Sequence, residues 1–208
     1  MILFIDTTTS YPIISIIEDR NIKYMYNQKV DNDISVSIFS IIEEGFKKLN
    51  ITPKHIKTII VANGPGSFTG TRIGVTIAKM YGYSLDTKVI PVSSLEILAT
   101  SDVNTDLVVP LIDARRGYVY AGIYDNKLKN IFFDNYISIE ELNEHLKDKS
   151  YTFVSNDEFS FNVEKPNVDI LKVIDKHYND NGVNPHSLNP NYLKKTEAEE
   201  KLNDQKNN

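Results

Sequence analysis

A strand that empties through glycines straight into a helix constrains this chain more than any of its other features. The apolar run Ile59-Ile60-Val61-Ala62 has the composition of a buried strand, and Asn63-Gly64-Pro65-Gly66-Ser67-Phe68-Thr69-Gly70-Thr71-Arg72-Ile73-Gly74 follows it directly. Ser67 or Thr69 can cap the next helix, and the glycines permit backbone angles that other residues resist. Two readings are open. One is a tight strand-to-helix turn. The other is an anion cradle, because a helix N-terminus offers free N–H groups and the positive end of the macrodipole. Known phosphate loops fit poorly: Thr71-Arg72 stands where a Walker loop needs Lys and Ser/Thr, and the glycines are spaced G-x-G-x-x-x-G rather than G-x-G-x-x-G.

The helix after this turn places Gly70, Gly74, Ala78 and Gly82 on one face at four-residue intervals. A second helix can approach such a stripe closely, and glycines inside a helix cost roughly 0.5–1 kcal/mol each relative to alanine, so a packing gain is expected to offset them. The stripe is read here as a partner-facing surface, together with Ile38 and Ile42 of the preceding helix. Packing inside the subunit is the alternative. Ile73, Ile77, Met80 and Ser84 occupy a neighbouring face suited to covering a sheet.

Short β-prone runs at Ile2–Ile5, Ile13–Glu18 and Ile22–Gln28 predict a meander, followed by a helix over 34–49 with Asp33 as its N-cap. Thr52-Pro53 predicts a short capped turn into a strand at 57–62, and Ser93-Ser94-Leu95-Glu96 reads as a capping box after a strand at Lys88–Val92. The polar stretch 100–106 divides residues 1–101 from a second unit at 102–196. In that unit strands at Leu107–Ile112, Tyr118–Tyr124 and Lys129–Tyr136 precede a capped helix to Leu146, a strand at Tyr151–Val154 and a helix at Val168–Asn179. Residues 197–208 are charged and amide-rich, and are expected to form a disordered tail.

The 208 residues carry no cysteine, 41% hydrophobic residues and a formal net charge of −5. That excludes disulfides and thiolate chemistry and is compatible with a reducing cytoplasm. It also argues against a large basic footprint for nucleic acid, so any RNA contact is expected to come mostly through a partner. No apolar run approaches a membrane span. The four histidines, His55, His145, His177 and His186, share no close helical spacing and read as solvated surface residues, so no metal and no cofactor are called for.

Two tandem β-meander units with trailing helices suggest an α/β, actin-like (ribonuclease H-like) architecture with two βββαβα-type halves. The residues then resemble a specific family, TsaB, also called YeaZ. The resemblance rests on Met1-Ile2-Leu3-Phe4-Ile5-Asp6-Thr7-Thr8, Gly64-Pro65-Gly66-Ser67-Phe68-Thr69-Gly70, Val92-Ser93-Ser94-Leu95-Glu96, Ile112-Asp113-Ala114-Arg115-Arg116-Gly117-Tyr118-Val119-Tyr120, and Pro190-Asn191-Tyr192-Leu193-Lys194 with Ala198. Thr71 stands where leucine is usual and Lys194 where arginine is usual. Asp33-Ile34-Ser35 replaces a frequent His-Ser-Glu, so no role of that histidine carries over.

The resemblance implies a non-catalytic, cytoplasmic scaffold subunit of the apparatus that forms N6-threonylcarbamoyladenosine beside the anticodon of tRNAs reading codons that begin with A. It implies pairing with the transferase TsaD through helices of the N-terminal half, a TsaE-like ATPase in the complex, a homodimer when TsaD is absent, and tRNA contact only through the complex. A rival reading is an actin-like phosphotransferase or ATP-binding protein with a nucleotide site, possible only in vestigial form, at Asp6, Thr7 and Asp113; Asp6 and Asp113 stand where such kinases place carboxylates. A metallopeptidase ranks last. Against the rival, the turn Asp6-Thr7-Thr8-Thr9-Ser10 lacks a glycine for close phosphate approach, and Asp6 has a simpler role in hydrogen-bonding that turn. Arg115 and Arg116 read as ordinary surface charges, as an ion pair holding the two halves together or as a contact to a partner, and the structural role is favoured.

Overall fold

The computed structural model describes residues 1–30 and 34–194. The Asp33 cap, the Ala198 match and the polar tail lie outside the described residues. β1 (Ile2–Asp6), β2 (Ile13–Glu18) and β3 (Asn21–Asn27) form an antiparallel meander, and α1 (Ile34–Lys48) leads to β4 (Thr58–Ala62). Then come α2 (Phe68–Leu85), β5 (Lys88–Val92) and α3 (Ser94–Ala99). β4 and β5 add in parallel, giving one sheet in the order β3-β2-β1-β4-β5.

The second half repeats the plan: β6 (Leu107–Asp113), β7 (Tyr118–Asp125), β8 (Asn130–Ser138), α4 (Ile139–Leu146), β9 (Tyr151–Val154) and α5 (Ile170–His177). Its sheet runs β8-β7-β6-β9, the same topology with one strand fewer. This is the actin-like, twofold βββαβα arrangement expected.

The central strands read as near-continuous apolar runs because layers cover both faces. Leu3 and Ile5 point into a core shared with α1 and α2, whereas Phe4 points into one shared with α5. In the second sheet Val119, Ala121 and Ile123 face α4, while Tyr120 and Tyr124 face α3. The polar stretch at 100–106 separates the two sheets, but packing does not follow that division. Ile170, Val173 and Ile174 of α5 return to the first sheet, where burial of each contributes about 1.5–3 kcal/mol.

One local expectation changes at the start of α3. Ser93 caps α3 by accepting from Leu95 N, but Glu96 does not reach back to complete a capping box; it is buried and turned toward α5. By contrast Ser138 and Glu141 make a full reciprocal box at α4.

The small-residue stripe faces inward. Gly70, Gly74, Ala78 and Gly82 are all buried, and a Cβ at Gly74 would lie 2.6 Å from Thr7 Oγ1 with Ile5 and Val61 beside it. At Gly82 a Cβ would meet Val89 and Pro185. The close approach the stripe permits is therefore to the chain's own sheet and C-terminal segment, not to a partner helix. Ile38 and Ile42 are likewise core residues of the first unit. The outer face of the helix pair instead exposes Val36, Phe39, Met80 and Tyr83, so Met80 and the exposed Ser84 do not cover the sheet.

Candidate functional site

Ser67 caps α2, its hydroxyl accepting from Gly70 N at 3.2 Å, which starts the helix directly after β4 and the glycine turn. The helix N-terminus is closed against the β1–β2 turn: Ser67 N donates to the Thr8 carbonyl at 2.7 Å, and Thr7 Oγ1 donates to the Gly70 carbonyl at 2.7 Å. Gly66 has φ 153, and a Cβ there would lie 2.5 Å from the Thr8 carbonyl oxygen. The glycines thus admit the Thr7-Thr8 backbone against the loop, where the Thr8 carbonyl takes the N–H of the N-cap residue Ser67. Of the two readings of the turn, this geometry is that of a backbone clamp.

The other recognised segments hold the same loop. Ser94 N donates to the Gly64 carbonyl at 3.0 Å, and the Ser94 hydroxyl donates to the Pro65 carbonyl. Asn191 N donates to the Asn63 carbonyl at 2.6 Å, and Asn63 Nδ2 to the Asn189 carbonyl at 3.2 Å. Segments distant in sequence meet at one end of the first sheet.

Asp6 is buried at the end of β1, and its Oδ1 accepts from Thr8 N at 2.8 Å and Thr8 Oγ1 at 2.6 Å. Burial pushes its carboxyl above the ordinary range, with the two Thr8 bonds pulling the other way. A cleft of about 330 Å³ opens beside it, lined by Asp6, Thr9, Tyr11, Asn156 and Lys165 among others. Asp113 does not line that cleft. It is exposed at the end of β6, where its N–H donates to Asp157 Oδ2 and its Oδ1 accepts from Arg115 N, both at 2.8 Å. Thr7 is spent on Gly70. The structure therefore does not bring the three residues of the rival nucleotide reading into one cavity.

Arg115 and Arg116 are exposed turn residues in the left-handed region, at φ 68 and 57. Neither forms an ion pair among the described residues, so they do not tie the halves together by charge pairing.

Arg72 lies over the Phe68 ring, 3.6 Å from its centroid, and its Nε donates to Tyr192 Oη at 2.8 Å. Tyr192 stacks on Phe68 with centroids 5.5 Å apart. Nothing in the spacing of the sequence joins residues 120 positions apart. The Tyr118/Tyr120 pair was more legible, since alternate positions on a strand share a face. Tyr118 and Tyr136 stack at 4.7 Å, Tyr120 lies 5.7 Å from Tyr136, and Lys194 Nζ sits 5.1 Å over Tyr136.

One histidine departs from the solvated role expected of all four. His177 bonds Glu96 Oε1 at 2.6 Å and Asp180 Oδ2 at 2.7 Å, with its side chain only 16% exposed, and Lys176 Nζ meets Glu96 Oε2 at 2.8 Å. The bond to Glu96 raises the imidazole pKa against the pull of burial. For Glu96 burial acts upward, but the bonds to His177 and Lys176 prevail and lower its pKa. Among the described residues, no group of three or more His, Asp or Glu is placed to hold a metal ion, and no helix is long and apolar enough to cross a membrane.

Comparison with known proteins gives this geometry its family. The family model of TsaD, tRNA N6-adenosine threonylcarbamoyltransferase, matches residues 28–174. The tRNA threonylcarbamoyladenosine biosynthesis protein TsaB of Bacillus subtilis is 36% identical over 152 residues, covering 71% of this chain and 66% of that protein. TsaB of Haemophilus influenzae is 30% identical over 122 residues, covering 57% and 51%. The match thus spans two thirds or less of these relatives. YeaZ from Pseudomonas aeruginosa has the same fold, with a TM-score of 0.71 at 18% identity over 92% of this chain and 99% of that one. A solved protein described as similar to peptidase YeaZ from that organism superposes with a TM-score of 0.77 at 18% identity over 93% and 99%. The chain belongs to the TsaD family, and within it to the TsaB (YeaZ) type.

Proposed function

We propose that this chain is a non-catalytic scaffold subunit of the complex that forms N6-threonylcarbamoyladenosine in tRNA, and that it pairs with a TsaD-like transferase through the outer face of α1 and α2. The observation that carries the reading is that face. Val36, Phe39, Met80 and Tyr83 are exposed apolar side chains on the two helices, and a groove of about 440 Å³ lined by Phe39, Ile42, Phe46 and Tyr81 runs beside them. Exposed apolar surface of this kind marks association. The names of the TsaB relatives supply the pathway, and the chain's membership in the transferase's own family supplies a related fold as partner. A second copy of this chain occupies the same face when the transferase is absent, a TsaE-like ATPase joins the assembly, and the complex works in the cytoplasm.

The clamp supports the non-catalytic part of the reading. The Thr7 hydroxyl is engaged by the Gly70 carbonyl, and Asp6 and Asp113 serve separate turns. The test is reconstitution of tRNA modification from purified components with and without this chain, alongside Phe39→Glu and Met80→Glu. Modification is expected to require the chain, and both variants to stay folded while losing copurification with the transferase. Full modification without the chain, or by the chain without a transferase, overturns the proposal.

A further inference from the structure

We propose that the surface built from Phe68, Arg72, Tyr118, Tyr136, Tyr192 and Lys194 is a stacking platform for unpaired RNA bases, so that this subunit touches tRNA directly rather than only through its partner. The inference rests on the reading above for its substrate class but on different residues from the α1–α2 face.

Two clusters make up the platform. In the first, the Arg72 guanidinium lies over Phe68, which stacks on Tyr192. In the second, Lys194 stands over Tyr136, itself stacked on Tyr118 at an interplanar angle of 9°. Tyr192 and Lys194 are two residues apart, so one short segment, with Cα atoms within about 7 Å of each other, contributes a side chain to each cluster. That segment is fixed by the bond from Asn191 N to the Asn63 carbonyl. Rings held this way lose little freedom when a base lands on them. Phe68 is 53% exposed, Tyr192 46% and Tyr118 39%, although rings of this size usually bury more of themselves.

Charge favours a polyanion. The whole chain has a formal net charge of −5. Yet Arg72 and Lys194 lie over these rings, Arg115 and Arg116 are exposed in the turn before Tyr118, and none of the four joins an ion pair among the described residues. Among the described residues only Nε of Arg72 is used, leaving its terminal N–H groups for phosphate oxygens. Arg115 and Arg116 project from the turn that leads into Tyr118. Exposed rings interleaved with unpaired cations suit single-stranded nucleic acid, where bases stack on aromatic faces and the backbone follows the charge. A duplex offers few free base faces and is a poor match.

The test is fluorescence anisotropy of a labelled unstructured 17-nucleotide RNA titrated with the full chain, and with the copurified complex. The same RNA annealed to its complement serves as control. Binding is expected to weaken with salt at a log–log slope of about −2 to −3, from three or four neutralised phosphates at about 0.7 each. Tyr192→Ala and Tyr118→Ala should each weaken single-strand binding roughly 5- to 100-fold, Tyr192→Phe should restore it, and Lys54→Ala, outside the platform, should do nothing. Circular dichroism confirms folding, and the exposed Arg116→Ala provides a variant with little structural risk. Duplex binding as tight as single-strand binding, unchanged affinity in the ring variants, or ring variants that lose only a protein partner would each overturn the proposal. If modification still requires this chain while the ring variants bind RNA normally, the platform falls and the scaffold reading stands. If modification does not require it, the scaffold reading falls on its own evidence.

Discussion

Gly70 and Thr7 are in reciprocal contact: the Thr7 hydroxyl donates to the Gly70 carbonyl at 2.7 Å, and a Cβ on Gly70 would lie 1.9 Å from the Thr7 carbonyl oxygen. The obstructing atom is backbone, which cannot rotate aside. Gly70→Ala must therefore push α2 away from β1 or distort the turn, and we expect a loss of about 3 kcal/mol or more. Gly74→Leu, which would drive a side chain into Thr7, Ile5 and Val61, should unfold the chain rather than dissociate a complex. Urea titrations followed by circular dichroism measure both; native-like stability in either variant would contradict the inward-facing stripe.

Asp6 offers a discriminating substitution. Its carboxylate is raised by burial and holds two Thr8 donors on one oxygen. A raised carboxyl makes the folded state prefer the protonated form, so ionisation costs stability as pH rises through the folded pKa. Asp6→Asn keeps an acceptor and removes that charge, and should be neutral or stabilising by about 1 kcal/mol, whereas Asp6→Ala orphans Thr8 N and should cost about 1–3 kcal/mol. Melting temperatures of the two variants, with modification activity unchanged in the Asn form, test this; loss of activity at unchanged stability would point to chemistry at Asp6.

Thr71 gives the opposite expectation. It is 2% exposed, and its hydroxyl has no hydrogen-bond partner among the described residues. A buried, unsatisfied hydroxyl carries a desolvation cost, so the isosteric Thr71→Val should raise stability by about 1 kcal/mol. A decrease in the urea midpoint would show that the hydroxyl is satisfied in solution.

What the sequence made legible divides along physical lines. Strands such as Ile13–Glu18 and Lys88–Val92 match their predicted bounds because short apolar runs and flanking turns are local signals. The topology followed from the order of elements. The direction of the small-residue stripe did not, because small residues serve close approach to a strand or to a helix equally well, and only the Thr7 backbone decides between them. Glu96 is a similar case. Its spacing from Ser93 satisfies the capping pattern, but Lys176 and His177, 80 and 81 residues away, take it instead. The Phe68–Arg72–Tyr192 cluster was invisible for the same reason.

The Glu96–His177 pair sets the last expectation, a pH window for stability. His177 has a folded pKa above its unfolded value near 6.5, raised first by its bond to Glu96, so its contribution is fully present below that unfolded value and is lost as pH rises through the folded pKa. Glu96 has a folded pKa below its unfolded value near 4.5, so its contribution is present above that value and lost as pH falls through the folded pKa. The two overlap between about pH 4.5 and 6.5, where the pair should stabilise most. The pair joins α3 to α5, and α5 carries Ile170, Val173 and Ile174 into the first sheet, so weakening it should loosen that helix before the sheets themselves. Glu96→Gln keeps the shape but removes the charge that holds His177⁺ and Lys176. It should cost about 2–4 kcal/mol near pH 6 and progressively less as pH rises through the folded pKa of His177, beyond which the imidazole is neutral and only the Lys176 contact differs. Urea midpoints across pH 4–9, with amide exchange of α5 as the local readout, measure the effect. A Glu96→Gln deficit that stays constant across that range would show that the contact acts by packing alone.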